Sequence, residues 1–213
     1  MSSPHYSNSF FEQNLVLTDK YKNRNRFEVF REFCHGKRVL HVGFADWPIT
    51  DINNNLHVYL DGVCKALDGF DTNVEAFPLI QAHVKGKLFS DVNKIFDSYD
   101  LVIVPEVIEH VGNVENFLES LNQLKFDEIL FTAPDAVQCY SRHFRVLNDG
   151  HFSELVHPDH NCWYSPYNLY NTIRKYSPWE IFELGAFNDI SIILRAKKES
   201  AKIKYRLLDT LSG

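Results

Sequence analysis

The chain has 213 residues, 45% hydrophobic and 23% charged, which fits one globular domain and excludes disordered or fibrous architectures. Its 22 basic and 28 acidic residues leave a formal net charge of −6. That argues against a dedicated duplex-binding protein, which needs a basic face to displace counterions from phosphate.

No apolar run approaches the ~18–20 residues of a membrane span. The opening MSSPHYSNSFFEQN lacks the basic start and apolar centre of a signal peptide. Cys34, Cys64, Cys139 and Cys162 form no C-x-x-C pair, so reduced thiols in a cytoplasmic protein are expected.

Residues 1–22 are polar and aromatic with little periodicity, and read as an N-terminal arm or lid ahead of one domain over 23–213. Tyr6, Phe10, Phe11 and Tyr21 either close over a cleft or pack on the body. Over 23–34, Phe27, Val29, Phe30 and Phe33 recur at helical spacing, and His35-Gly36-Lys37 ends that helix. Val39-Leu40-His41-Val42-Gly43 then has the pattern of a strand buried on both faces.

Further strand-like runs follow at 66–71, 84–89, 101–104 and 128–132, with a helix at 114–124 carrying Phe117, Leu118, Leu121 and Leu124 on one face. Strands alternating with helices predict a doubly wound, Rossmann-like α/β fold. Its sheet is mostly parallel, with helices on both faces. Runs at 179–184 and 190–196, joined by a turn through Gly185, predict an antiparallel C-terminal strand. Residues 133–165 show no clear periodicity and read as a long substrate-facing insertion bearing Arg142, His143, Arg145, His151, His157, Asp159, His160 and Trp163. The closing KKESAKIKYR segment reads as a solvated end.

In a sheet of this type ligands bind beyond the strand C-termini, where strand order reverses. Gly43 stands where a backbone must pass close to a ligand, and Asp71 is placed to accept from both hydroxyls of a ribose. Asp91 and Val92 pair an acid with an apolar residue, which suits an adenine amino group and its ring face. A nicotinamide site would need G-x-G-x-x-G opening a helix, and Gly43-Phe44-Ala45-Asp46-Trp47-Pro48 does not supply it.

Together with FDSYDLVIVPEVIEHVGNVENFLESL, these residues resemble the class I S-adenosylmethionine-dependent methyltransferases. The nearest pattern is the type-11-like group, with its VLDVGCGxG turn and EVIEH segment. The resemblance covers the chain from about residue 38 onward. It implies S-adenosylmethionine as cofactor, held by Gly43, Phe44, Ala45, Asp71, Thr72, Asp91, Val92 and Pro105. This chain departs from the pattern at His41, where the family has an acid, and at Ala45 and Trp47, where it has glycines.

Glu106, Glu109 and His110 are spaced i, i+3, i+4, which on a helix places them on one face. HPDH at 157–160 adds another imidazole. The set resembles the metal-dependent small-RNA 3′-end 2′-O-methyltransferases and, in its E-x-x-E-H part, the ubiquinone-pathway O-methyltransferases. That resemblance implies Glu106, Glu109, His110 and His160 as ligands of a divalent metal. Without a metal the acids cap a helix, and His110 or His160, beside Glu109, serves as the catalytic base.

The expected activity is O-methylation of a small polyhydroxylated acceptor, a sugar or nucleotide-sugar of glycan biosynthesis. Two alternatives stay open: an RNA 3′ end as substrate, or a non-catalytic binding module in which Trp47 fills the methionine pocket.

Overall fold

The computed structural model describes residues 12–46, 51–147 and 149–198. Tyr6, Phe10, Phe11, Trp47 and the basic segment beyond Lys198 lie outside them. In chain order the elements are β1 (Thr18–Tyr21), α1 (Arg26–Cys34), β2 (Arg38–Val42), α2 (Leu56–Asp61), β3 (Ala66–Phe70), α3 (Phe77–Gln81) and β4 (Leu88–Phe89). Then come β5 (Ser98–Pro105), α4 (Val114–Asn122), β6 (Lys125–Pro134), α5 (Ala136–His143), β7 (Phe144–Val146), β8 (Phe152–Glu154), α6 (Pro166–Tyr176), β9 (Trp179–Phe187) and β10 (Ser191–Lys198).

Eight strands form one sheet in the order β1-β9-β10-β6-β5-β2-β3-β4, and only β10 runs against the others. This is the expected doubly wound sheet with its antiparallel C-terminal strand. The central strands are apolar on both sides because both sides are covered. Val39, Leu101, Ile103, Leu130 and Ile193 pack with Val29 and Phe30 of α1 and Leu56 and Leu60 of α2. Their neighbours along the strands, Leu40, Val102, Val104, Ile129, Phe131 and Leu194, face Leu118 and Leu121 of α4 and Leu169 and Ile173 of α6. No helix among the described residues is long and apolar enough to cross a membrane.

Local chemistry sets the boundaries. The Asn25 side chain accepts from the Phe27 amide at 2.8 Å and caps α1, so the helix starts at Arg26, later than periodicity implies. The turn into β10 is made by Asn188 and Asp189, at φ of 52° and 58°, and β9 continues straight through Gly185. Asn and Asp tolerate that left-handed geometry, which the two central residues of a type I′ turn require; here the turn spans 187–190, closed by the Ile190 amide on the Phe187 carbonyl.

Other expectations are corrected. Residues 18–21 are no arm: β1 pairs in parallel with β9, and Tyr21 is buried. The run at 84–89 shortens to the two residues of β4. The insertion at 133–165 is not structureless, since it holds the end of β6, α5 and the β7–β8 hairpin.

Thr18 lies opposite Gly185, and a Cβ on Gly185 would stand 2.4 Å from the Thr18 carbonyl oxygen. Gly185→Val should therefore cost about 1–3 kcal/mol, by analogy with overpacked cores. In hydrogen exchange the loss of protection should be concentrated in the Thr18–Tyr21 amides. Unchanged protection there would show that β1 does not depend on this contact.

Candidate active site

Strand order reverses at β2, which has β3 on one side and β5 on the other. The C-terminal ends of these three strands open into a cavity of about 300 Å³, the position where open α/β sheets bind ligands. Gly43, Phe44, Ala45, Asp71, Thr72, Pro105, Glu106, His110 and His160 all line it. Asp91 and Val92 do not. Asp91 is half-buried and accepts at 3.0 Å from both the backbone and the side-chain nitrogen of Asn93, while Val92 packs against the core.

One wall is the turn after β2. Gly43 sits at φ +78°, and a Cβ there would be 2.3 Å from Val107 Cγ2, so both conformation and space demand glycine. The Ala45 amide donates to Asp71 Oδ2 at 2.9 Å, and the Asn73 amide donates to Asp71 Oδ1 at 2.8 Å. Each carboxylate oxygen keeps acceptor capacity for a ligand hydroxyl. Ala45 causes no backbone strain, because the left-handed residues of this turn are Gly43 and Asp46, at φ 78° and 53°, and not Ala45.

The opposite wall is the segment after β5, and it is not the helix that the spacing implies. Glu106 adopts φ 53°, and only Ile108–His110 form a single 3₁₀ turn. Glu109 is fully buried, and neither of its carboxylate oxygens has a hydrogen-bond partner among the described residues. Burial, with the neighbouring Glu106 charge, pushes its carboxyl up to about 9.

Glu109, His110 and His160 each present a ligand atom within 4.8 Å of the others. Glu106, expected as a fourth ligand, stands outside this group and lines the cavity instead. Burial pushes its carboxyl up as well, opposed by the Thr132 hydroxyl and the Arg26 charge. His160 is held down to about 4 by burial and by His110 and His157, so it is neutral near pH 7. An orphaned buried carboxyl beside two neutral imidazoles is a donor set that fits a divalent cation.

Several residues at this site have no clear signal in the sequence. Asn161 ties the insertion to the 3₁₀ turn, with its amide donating to the Glu109 carbonyl at 2.8 Å and its side chain to the His110 carbonyl at 2.6 Å. Arg26, the first residue of α1, reaches the cavity with its Nε buried and unpartnered. His157 also lines the cavity, and its ring centroid is 5.4 Å from that of His110; the H-x-x-H spacing in HPDH was its only trace.

His41 is buried beneath the cavity with its Nδ1 3.3 Å from Nδ1 of His57, and neither Nε2 has a partner. Burial, with His57 and Arg26 nearby, holds His41 well below the usual histidine range, and burial brings His57 down to about 3. Both rings are neutral in the fold but take a proton below pH ~6.5 in the unfolded chain. Their stabilisation is complete above that pH and is lost as pH falls toward the folded values, at up to ~1.4 kcal/mol per pH unit per ring. His57→Asn should make unfolding free energy less steep between pH 6 and 4 by about one proton's worth. An unchanged slope would refute this linkage.

No protein-family model matches the sequence, and no curated protein matches it. Solved structures do match. A SAM-dependent methyltransferase from Aquifex aeolicus superposes with a TM-score of 0.56 at 14% identity, over 79% of this chain and 87% of that one. A structure described as a type 11 methyltransferase, from Sulfolobus solfataricus, gives 0.55 at 15% identity, over 83% and 92%. DhpI in complex with SAH gives 0.53 at 16% identity, over 80% and 81%. At these identities the likeness is one of architecture: the chain has the Rossmann-like fold of the S-adenosylmethionine-dependent methyltransferases.

Proposed function

We propose that the chain is an S-adenosylmethionine-dependent O-methyltransferase acting on a hydroxyl of a small polyhydroxylated acceptor such as a sugar or nucleotide-sugar. The observation that carries this reading is the cavity at the strand-order reversal. It has the Gly43–Asp71 turn on one wall and His110 and His160 on the other. The first wall suits a nucleoside and the second suits proton removal, so a cofactor and a hydroxyl meet in one place.

When bound, S-adenosylmethionine supplies a methyl group activated by its sulfonium. The residues of this chain then have separate tasks. Asp71 accepts from the ribose hydroxyls with the lone pairs its two backbone bonds leave free. Arg26 offers a guanidinium to the carboxylate of the amino-acid end. With no cation bound, His160, neutral near pH 7, takes the proton of the acceptor hydroxyl. Glu109, His110 and His160 would hold a divalent cation, whose contribution is to lower the pKa of a hydroxyl placed against it.

Titration calorimetry of S-adenosylhomocysteine into chelator-treated protein should give micromolar binding. Asp71→Ala should weaken it at least tenfold, with thermal unfolding recorded because Asp71 also braces the turn. Absence of binding by the wild-type chain overturns the proposal. Mn²⁺ should bind with a separate heat that is lost in Glu109→Gln and in His160→Ala. If that heat survives both substitutions, the cation does not sit at this cluster.

A further inference from the structure

On the far side of Glu106, His157 and His160 lies a second hollow, of about 250 Å³. These three residues line both spaces and form the partition between them. Apart from His143, the rest of the second lining is apolar or sulfur: Pro134, Cys139, Leu155, Val156, Trp163 and Ile190. It is not a gap in the core, because Leu155 and Val156 are exposed and the hollow opens outward beside the hairpin.

From its mouth an aromatic run leads away from the partition. Trp163 packs against Phe144 with ring centroids 4.8 Å apart, and Phe144 against Phe152 at 6.3 Å. In the β7–β8 register Val146 lies opposite Phe152 and Phe144 opposite Glu154, so Phe144, Val146 and Phe152 share one face of the hairpin with Glu154, which accepts from the Trp163 indole nitrogen. Single exposed apolar side chains are ordinary, but here Tyr140 (72%), Val146 (80%), Phe152 (59%) and Leu155 (70%) gather on one short insertion. A contiguous apolar patch of this kind marks a binding surface. It is continuous with the hollow, and the hollow with the cluster at His160.

We propose that this hollow seats the acceptor, and that the acceptor bears an apolar, ring-sized body whose hydroxyl reaches His160 at the partition. The inference rests on the methyltransferase reading and narrows its polyhydroxylated acceptor to one that carries an apolar ring beside its hydroxyls, as an aryl glycoside does. A saccharide without such a body would turn hydroxyls toward Pro134, Leu155, Val156 and Ile190, stripping their water and offering no partner. A flat apolar body would lose nothing there and would gain contact with Trp163. The size agrees: a cavity of ~150 Å³ accommodates benzene, so this one has room for a second ring.

The test uses 2-naphthol as the apolar hydroxyl probe and methyl β-D-glucopyranoside as the purely polar one, each titrated into the full chain with and without saturating S-adenosylhomocysteine. Saturable 2-naphthol binding that persists beside S-adenosylhomocysteine is expected, and at least tenfold weaker binding of the glucoside. The paired substitution Leu155→Lys and Val156→Lys, on exposed positions, should weaken 2-naphthol at least tenfold and leave S-adenosylhomocysteine affinity and thermal unfolding unchanged.

No saturable 2-naphthol binding, binding indifferent to the lysines, competition with S-adenosylhomocysteine, or tighter binding of the glucoside overturns the inference and leaves the methyltransferase reading standing. If 2-naphthol binds and S-adenosylhomocysteine does not, the methyltransferase reading fails, and the hollow's role as an acceptor seat fails with it.

Discussion

The Asp71 carboxylate joins two turns at the end of the sheet. One oxygen takes the Ala45 amide and the other the Asn73 amide, so the carboxylate, together with the Gly43 amide on the Phe70 carbonyl at 2.8 Å, fixes the loops leaving β2 and β3 relative to each other. Bonds of this sort are stronger than neutral ones and hold a backbone without covering it. With that turn held, Gly43 presents a bare Cα to Val107, and the segment carrying Glu106, Glu109 and His110 closes to within van der Waals reach. The two walls of the cavity are therefore set by one carboxylate and one missing methyl group.

The cost of this arrangement is concentrated in buried polar groups. Among the described residues the Glu109 carboxyl has no hydrogen-bond partner, the Nδ1 atoms of His41 and His57 face each other with each Nε2 unpartnered, and Arg26 holds an unpartnered Nε. Groups in such surroundings give up charge rather than water, which is why burial moves Glu109 up and the histidines down. A structure tolerates these penalties where a ligand can relieve them. Glu109, kept protonated by its own burial, becomes a cation ligand only by releasing its proton, so cation affinity at this cluster is tied to pH by construction.

Side-chain patterning made the parallel core legible, and what it hid was set by backbone pairing or by contacts distant in sequence. The runs at 39–43, 101–104 and 128–132 carry apolar residues on both faces, and each forms the centre of a buried strand. β1 has no such pattern because an edge strand joins through its backbone, with Tyr21 its one buried side chain. The spacing of Glu106, Glu109 and His110 suggests a helix, yet Glu106 turns left-handed straight after Pro105 and allows only one 3₁₀ turn. That turn moves Glu106 out of the group that Glu109, His110 and His160 form. The turn into β10 is written in Asn188–Asp189, two adjacent residues suited to positive φ, whereas Gly185 lies within β9.

Asn161 explains how a surface insertion can share a partition with a buried strand end. Its amide and side chain bind the carbonyls of Glu109 and His110, so the loop carrying His157 and His160 is attached to the very turn whose side chains it faces. The His160 amide bonds back to the His157 carbonyl at 3.1 Å, which keeps both rings on the same side of that attachment. The partition is thus built from both sides, with His157 Nδ1 accepting from the Asp159 amide at 3.3 Å and His160 Nδ1 without a hydrogen-bond partner among the described residues. An apolar hollow beyond it and a polar cavity before it meet only there, so a substrate spanning the two would have its reactive atom placed by the change in polarity itself.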